Sequence, residues 1–591
     1  MKQFFKFMFA SMLGFILACV VVFFIFMGMI ASAMKFAKPE EVKVSENTVL
    51  TLPLDISIED KYGDNPFANF DYSDFSASKA MTLNEVVKTL DNAAEDPSIS
   101  GIFMDISAVP TGFGNLEEIR NALVDFKSSG KFIYAYADDL TQKGYYIASV
   151  ADSVFLNPVG SMEFKGLATQ VAFFSGMLKK LDIEPQIIRH GKFKSAVEPF
   201  IQDKMSPENR LQTEAFLGSM WQHILQQISQ RRNISVEDLN NIADRFLINS
   251  ANDALEHKLV DRLVYRDQIL QTIANKTEAK DTESIKFLKL SEYSTSANAK
   301  VAEISKDRIA VIYASGNIIK GKGKGASSEV ISDEKVSKLI RKVRNDDKIK
   351  AVVFRINSPG GDALASEVIW REAKLTKEVK PFIVSMGNVA ASGGYYIACS
   401  ANKIFSNPTT LTGSIGVFGV IPNTQKFFSN KLGVTFDRVK TNQYSDYISG
   451  LRPLTAEETQ FMTKNVEDIY SVFTSRVAEG RNMQVADVDN IGQGRVWSGI
   501  NAKQIGLVDE FGGLKAAVIE AANLASLDSY RVVEYPRKKE PIEILMESFS
   551  NMSETKLKNE FGEYYNYIQM IKQIKQMEGV QALMPQNYDI Y

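Results

Sequence analysis

Residues 144–158 read GYYIASVADSVFLNP and residues 394–408 read GYYIACSANKIFSNP; they align without a gap, and nine of the fifteen positions are identical. Agreement of that density at a fixed offset means an internal duplication. Working outward, Leu259-Val260-Asp261 is answered by Leu507-Val508-Asp509. The helix-then-strand pattern of 81–107 (MTLNEVVKTLDNAAEDPSISGIFMDIS) is answered by that of 334–358 (EKVSKLIRKVRNDDKIKAVVFRINS). The body is therefore expected to be two homologous halves, 45–270 and 307–535, joined by a polar linker at 271–306. Within each half, short continuous apolar runs such as Ala351–Ile356 alternate with helical patterns and end on glycine-rich turns. Strands of that kind are parallel and covered on both faces, which gives an α/β class with ligands beyond the carboxyl ends of the strands.

Composition narrows the function. The chain has 591 residues, 68 Lys and Arg against 71 Asp and Glu, and a formal charge of −3, so no global basic field exists to hold a nucleic acid. The two cysteines, Cys19 and Cys399, exclude a disulfide scaffold and a cysteine zinc site. Asp and Glu form no ligand-like cluster, and neither metal nor cofactor is expected. From Phe7 to Met34 run 28 uncharged residues. A span needs about 20. Ala31-Ser32-Ala33 resembles a cleavage site, but the run exceeds the roughly 7–15 residues of a signal-peptide apolar core. Residues 1–44 are therefore expected to be an uncleaved anchor contacting membrane lipid. Lys2 and Lys6 are nearly balanced by Lys35, Lys38 and Lys43, so charge says little about orientation. The extension 536–591 carries helix-forming residues and is expected to be helical.

Residues 387–394, Gly-Asn-Val-Ala-Ala-Ser-Gly-Gly, lie between a strand and a helical stretch. A serine at such a turn is uncrowded, and the following glycine amides can face a developing oxyanion, so Ser392 is a candidate nucleophile and Gly393 a candidate donor. Ser358-Pro359-Gly360-Gly361 ends the preceding strand and offers a second amide, that of Gly361. The competing reading is close packing of helix on strand. His223 and His257 sit in amphipathic helical segments. The loop Arg189–Ser195 carries His190, Lys192 and Lys194, and a buried lysine can act as a general base. The duplication discriminates: Gln142 and Lys143 stand opposite Ser392 and Gly393, while Ser445 stands opposite Lys194. Each half keeps what the other has lost, which points to one Ser–Lys site shared between them.

The apolar N-terminus, the duplicated body, NVAASGGYYIA around Ser392, LTGSIGVFG at 411–419 and FKSAVEPF at 193–200 together resemble the long, internally duplicated form of the signal peptide peptidase A (protease IV) family. The resemblance covers about residues 1–535. It implies tandem ClpP/crotonase-like domains and a serine endopeptidase of the bacterial inner membrane, N-terminus cytoplasmic and body periplasmic, degrading cleaved signal peptides and other hydrophobic peptides. It further implies Ser392 as nucleophile, Lys194 as base, Ser414 (Phe164 in the first half) as the serine that orients the lysine, and a homotetramer. Apolar substrates would suit hydrophobic S1 and S3 pockets near 415–420, with the peptide added as a strand near 411–420. The alternatives are an acyl-CoA hydratase or isomerase on the same fold, a Ser-His-Asp protease, and a membrane-tethered scaffold with a degenerate site.

Overall fold

The computed structural model describes residues 42–61, 81–296, 305–323, 330–537 and 579–584, with short pieces at 70–71, 76–77 and 298–299 and scattered positions between 3 and 21. Most of the expected anchor, 1–44, lies outside the described residues. Among those described, no helix is long and apolar enough to cross a membrane.

The two copies fold alike because the same patterns repeat. Thr82 and Glu85 form a capping box for the helix Leu83–Glu95, which buries Val86, Val87, Leu90 and Ala93 on one face. Its counterpart Asp333–Arg344 is capped by Ser332 and buries Val336, Ile340 and Val343. Each helix leads into a buried strand, Ile99–Asp105 and Ile349–Ser358. Each later half carries a 26-residue helix, Pro207–Arg232 and Ala456–Arg481, closed by a left-handed asparagine, Asn233 and Asn482. The repeated Leu-Val-Asp has a structural task. Asp261 accepts the Val154 amide at 2.7 Å and pairs with Arg232, and Asp509 accepts the Ile404 amide at 2.8 Å and pairs with Arg481. Each aspartate thus ties the end of its long helix to a sheet strand.

The first sheet runs, in spatial order, 262–263, 153–162, 132–140, 99–105, 48–51 and 287–289, with parallel neighbours. Its last strand falls inside the stretch expected to be a linker. Phe287–Lys289 pairs with Thr48–Thr51, and Ile273, Ile285, Leu290 and Tyr293 are buried, so much of 271–306 belongs to the first half. Polar composition concealed it because each segment exposes its other face. The second sheet runs 496–498, 411–413, 382–391, 349–358, 308–315 and 531–535.

Between the halves, Arg355 is fully buried. It donates to Asp60 Oδ1 at 2.9 Å, Ser385 Oγ at 2.8 Å and Asn115 Oδ1 at 3.2 Å, and pairs with Glu118 at 2.7 Å. Asp60, Asn115 and Glu118 come from the first half, so a second-half cation satisfies first-half carboxylates and fixes how the halves dock. A third, mixed sheet crosses the divide. First-half strand Glu184–His190 pairs antiparallel with second-half strand Val417–Asn423, from Val417↔His190 to Asn423↔Glu184. That pairing carries the loop after His190 onto the second half. The extension after 536, expected helical, instead contributes a strand at Gly579–Leu583 to this sheet; residues 538–578 lie outside the described set.

Candidate active site

Ser392 ends the strand Phe382–Ala391 and precedes the short helix Gly393–Ala398. Its backbone stands at φ 54°, ψ −115°, a region non-glycine residues rarely occupy, costing on the order of 1–3 kcal/mol. Neighbours enforce it: Ser392 N donates to Gly413 O at 2.8 Å, and Tyr396 N donates to Ser392 O at 2.8 Å. Strained turns of this kind hold a side chain forward at functional sites.

Lys194 reaches Ser392 from the other copy. Its Nζ lies 2.8 Å from Ser392 Oγ, 3.1 Å from Ser414 Oγ and 3.1 Å from Ser414 O. Lys194, Ser392 and Ser414 are all fully buried. Burial drives the Lys194 amine well below the usual lysine pKa. No carboxylate pairs with it among the described residues, and the neutral oxygens of Ser414 favour the charged form too weakly to offset that burial.

The lysine stem needs a slot, and glycine provides it. A Cβ on Gly494 would stand 2.6 Å from Lys194 Cβ and 2.7 Å from its backbone N, and one on Gly416 3.1 Å from Lys194 Cδ. Phe193 N donates to Gln493 O at 2.9 Å, and Gly494 N donates to Ile415 O at 2.7 Å. Residues 493–495 are thus a plate between the lysine loop and the Ser414 turn. Gln212, buried on the long first-half helix, accepts the Val496 amide at 3.0 Å and donates to Phe193 O and Ser195 Oγ at 3.2 and 3.1 Å. It clamps both flanks of Lys194 to the second half. Sequence reasoning missed Gly494 and Gln212. One signal was available: read back from the paired Leu-Val-Asp motifs, Gly494 falls opposite Phe246, and both have positive φ. The backbone form is shared, and the side chain is absent only where the lysine needs room.

The glycine donors named from sequence lie together: a Cβ built on Gly393 would be 3.1 Å from Gly361 N. In the first copy the corresponding space is filled. Gln142, opposite Ser392, accepts the amides of Lys165 and Gly166, both at 2.9 Å. Phe164, opposite Ser414, packs edge-on against Tyr145. Lys143, opposite Gly393, lies over the Phe113 ring. The histidines are engaged elsewhere: His190 stacks on Tyr470 with centroids 3.9 Å apart, His223 lies 3.1 Å from Glu117, and His257 caps a helix.

Comparison with known proteins defines the class, a serine peptidase. The model of Peptidase family S49 matches twice, over residues 125–280 and 374–528, once in each half. A relative named Protease 4, from Salmonella typhi, is 36% identical over 479 residues, 79% of this chain and 76% of its own length. Protease 4 of Haemophilus influenzae is 35% identical over 76% of this chain and 74% of its own. The chloroplastic serine protease SPPA of Arabidopsis thaliana is 33% identical over 84% and 71%. The chain belongs to peptidase family S49, and peptides are its substrates.

Proposed function

We propose that the protein is a membrane-anchored endopeptidase in which Ser392 and Lys194 form a catalytic dyad across the two copies, acting on extended, apolar peptides such as cleaved signal peptides. The observation that carries the reading is the 2.8 Å approach of Lys194 Nζ to Ser392 Oγ in a fully buried setting, with no carboxylate paired to the lysine among the described residues. A neutral amine has two N–H donors and one lone pair. Directing the donors at Ser414 O and Oγ leaves the lone pair for the Ser392 hydroxyl. As Ser392 Oγ attacks the scissile carbonyl carbon, its proton passes to Lys194. The oxyanion faces the amides of Gly361 and Gly393, and Lys194 then protonates the leaving amine. Water, giving its proton to Lys194, releases the acyl group and restores the serine.

Support for the anchor is the uncharged run Phe7–Met34. The ClpP/crotonase-like class, the homotetramer and the inner-membrane location with a periplasmic body rest on the family resemblance and form part of the proposal. Ser392→Ala and Lys194→Met should each reduce hydrolysis of an uncharged fluorogenic peptide by at least about 10³-fold with circular dichroism unchanged. A fluorophosphonate should label Ser392 in the parent chain. Substantial turnover in either variant would sink the dyad.

A further inference from the structure

Tyr470 joins the two walls of the lysine slot. It lies on the second-half helix Ala456–Arg481 and is buried. Its ring stacks on His190, the last residue of the strand that delivers the lysine loop, with centroids 3.9 Å apart. Its hydroxyl donates to Asp489 Oδ1 at 2.6 Å and accepts the Gln493 amide at 3.2 Å. Asp489 Oδ1 also accepts from Gln493 Nε2. Burial and the adjacent carboxylate raise the Tyr470 pKa, so the phenol keeps the proton that it donates.

Gln493 needs such a hold. It stands at φ 51°, a left-handed backbone that a residue with a Cβ keeps only where its surroundings enforce it. Its carbonyl accepts the Phe193 amide at 2.9 Å, and the next residue is Gly494, whose missing side chain leaves room for Lys194. Gly191, three residues before Lys194, passes so close that a Cβ there would be 2.5 Å from Gln493 O. A return of Gln493 to negative φ would move both its carbonyl and Gly494. Lys194 Nζ would then lose its seat 2.8 Å from Ser392 Oγ.

The duplication isolates what is special to this copy. Counting back from the left-handed asparagines that close the two long helices, Asn233 and Asn482, Tyr470 falls opposite Trp221. Matching VEDLNNI at 236–242 to VADVDNI at 485–491 sets Asp489 opposite Asn240. The first copy keeps the tie, since Trp221 Nε1 donates to Asn240 Oδ1 at 2.9 Å. An indole N–H only donates, so it has nothing to offer a backbone amide, whereas a phenol also accepts. The copy that builds the lysine slot is the copy with the hydroxyl.

We propose that Tyr470 is a positioning residue of the dyad: its hydroxyl, backed by Asp489, holds Gln493 left-handed and so fixes the slot in which Lys194 meets Ser392. The proposal rests on the dyad reading above. The test is steady-state hydrolysis of an uncharged fluorogenic peptide by the full chain in detergent, with urea unfolding alongside. Tyr470→Phe keeps the ring and its His190 stack and deletes both hydroxyl bonds. A lysine displaced by roughly half an ångström lowers kcat about tenfold and leaves KM unchanged. Gln493→Gly holds φ +51° unaided, so adding it to Tyr470→Phe should return kcat to within about threefold of the parent. Asp489→Leu should lose as much as Tyr470→Phe, and the two together little more than either, because they act as one unit. Trp221→Phe deletes the matching first-copy bond and should lower the urea midpoint while leaving kcat within about twofold of the parent. A Tyr470→Phe kcat within about twofold of the parent overturns the proposal and leaves the dyad standing. A loss that Gln493→Gly does not recover, losses that add in the double variant, or an equal loss in Trp221→Phe also overturns it. Full turnover in Lys194→Met overturns the dyad and this proposal together.

Discussion

Gly494→Ala tests the idea that the second copy shapes the first copy's lysine. The new Cβ would lie 2.6 Å from Lys194 Cβ and 2.7 Å from its Cα and N, whereas ordinary contact begins at 3.4 Å. The lysine backbone must therefore retreat by roughly 0.8 Å, because the obstacle is backbone and cannot rotate away. A shift near 1 Å in a catalytic group costs about 10²-fold in rate. The substitution also places alanine at φ +78°, a strain of about 1–2 kcal/mol. Gly506→Ala separates the two effects: its φ is +79°, but the nearest atom to a new Cβ is Met483 Cε at 3.7 Å. Steady-state kinetics on an uncharged fluorogenic peptide and urea unfolding should both be measured. Both variants should lose about 1–2 kcal/mol of stability from backbone strain, and Gly494→Ala about 1–3 kcal/mol more from overpacking. Only Gly494→Ala should lose about 100-fold in kcat, with KM little changed. A Gly494→Ala enzyme within about threefold of the parent kcat would refute the argument that this slot sets the dyad geometry.

Peptide hydrolysis should rise with pH through the Lys194 titration, about tenfold per unit below its pKa, at a pH below the ordinary lysine range, because burial favours the neutral amine; a flat profile would argue for another base. The unfolded chain binds a proton on Lys194 that the folded chain does not, so that group makes stability increase with pH from its folded pKa toward about 10.4, and Lys194→Met should flatten this part of a urea-midpoint profile. Ser414→Ala removes one acceptor at 3.1 Å but leaves Ser414 O. It should lower kcat roughly two- to tenfold and move the activity midpoint to lower pH, since the hydroxyl oxygen favours the ammonium. Arg355→Leu strands Asp60 and Glu118 in a buried interface and should destabilise the chain by about 3–5 kcal/mol in urea unfolding, a loss that Arg355→Lys recovers only in part.

Much of this protein is determined by its sequence alone, because duplication makes the chain its own comparison. The GYYIA repeat, the Leu-Val-Asp pair and the alternation of apolar strand with amphipathic helix depend on local periodicity and on motifs short enough to read directly. The complementary losses at Gln142 and Ser445 made Ser392 and Lys194 candidates without any coordinates. What tertiary structure decided is contact across long separations. Lys194 and Ser392 are 198 positions apart and meet only because Glu184–His190 pairs with Val417–Asn423. Gly494 reads as one more turn glycine until the lysine stem is seen beside it. Residues 271–306 and 579–583 were misread because composition reports a segment's average polarity, while strand identity depends on which edge receives it. The polar stretch closes the first sheet, and the tail strand lies between Gly360–Asp362 and Val417–Asn423 in the mixed sheet, since an unpaired strand edge accepts an extended segment that satisfies its amides.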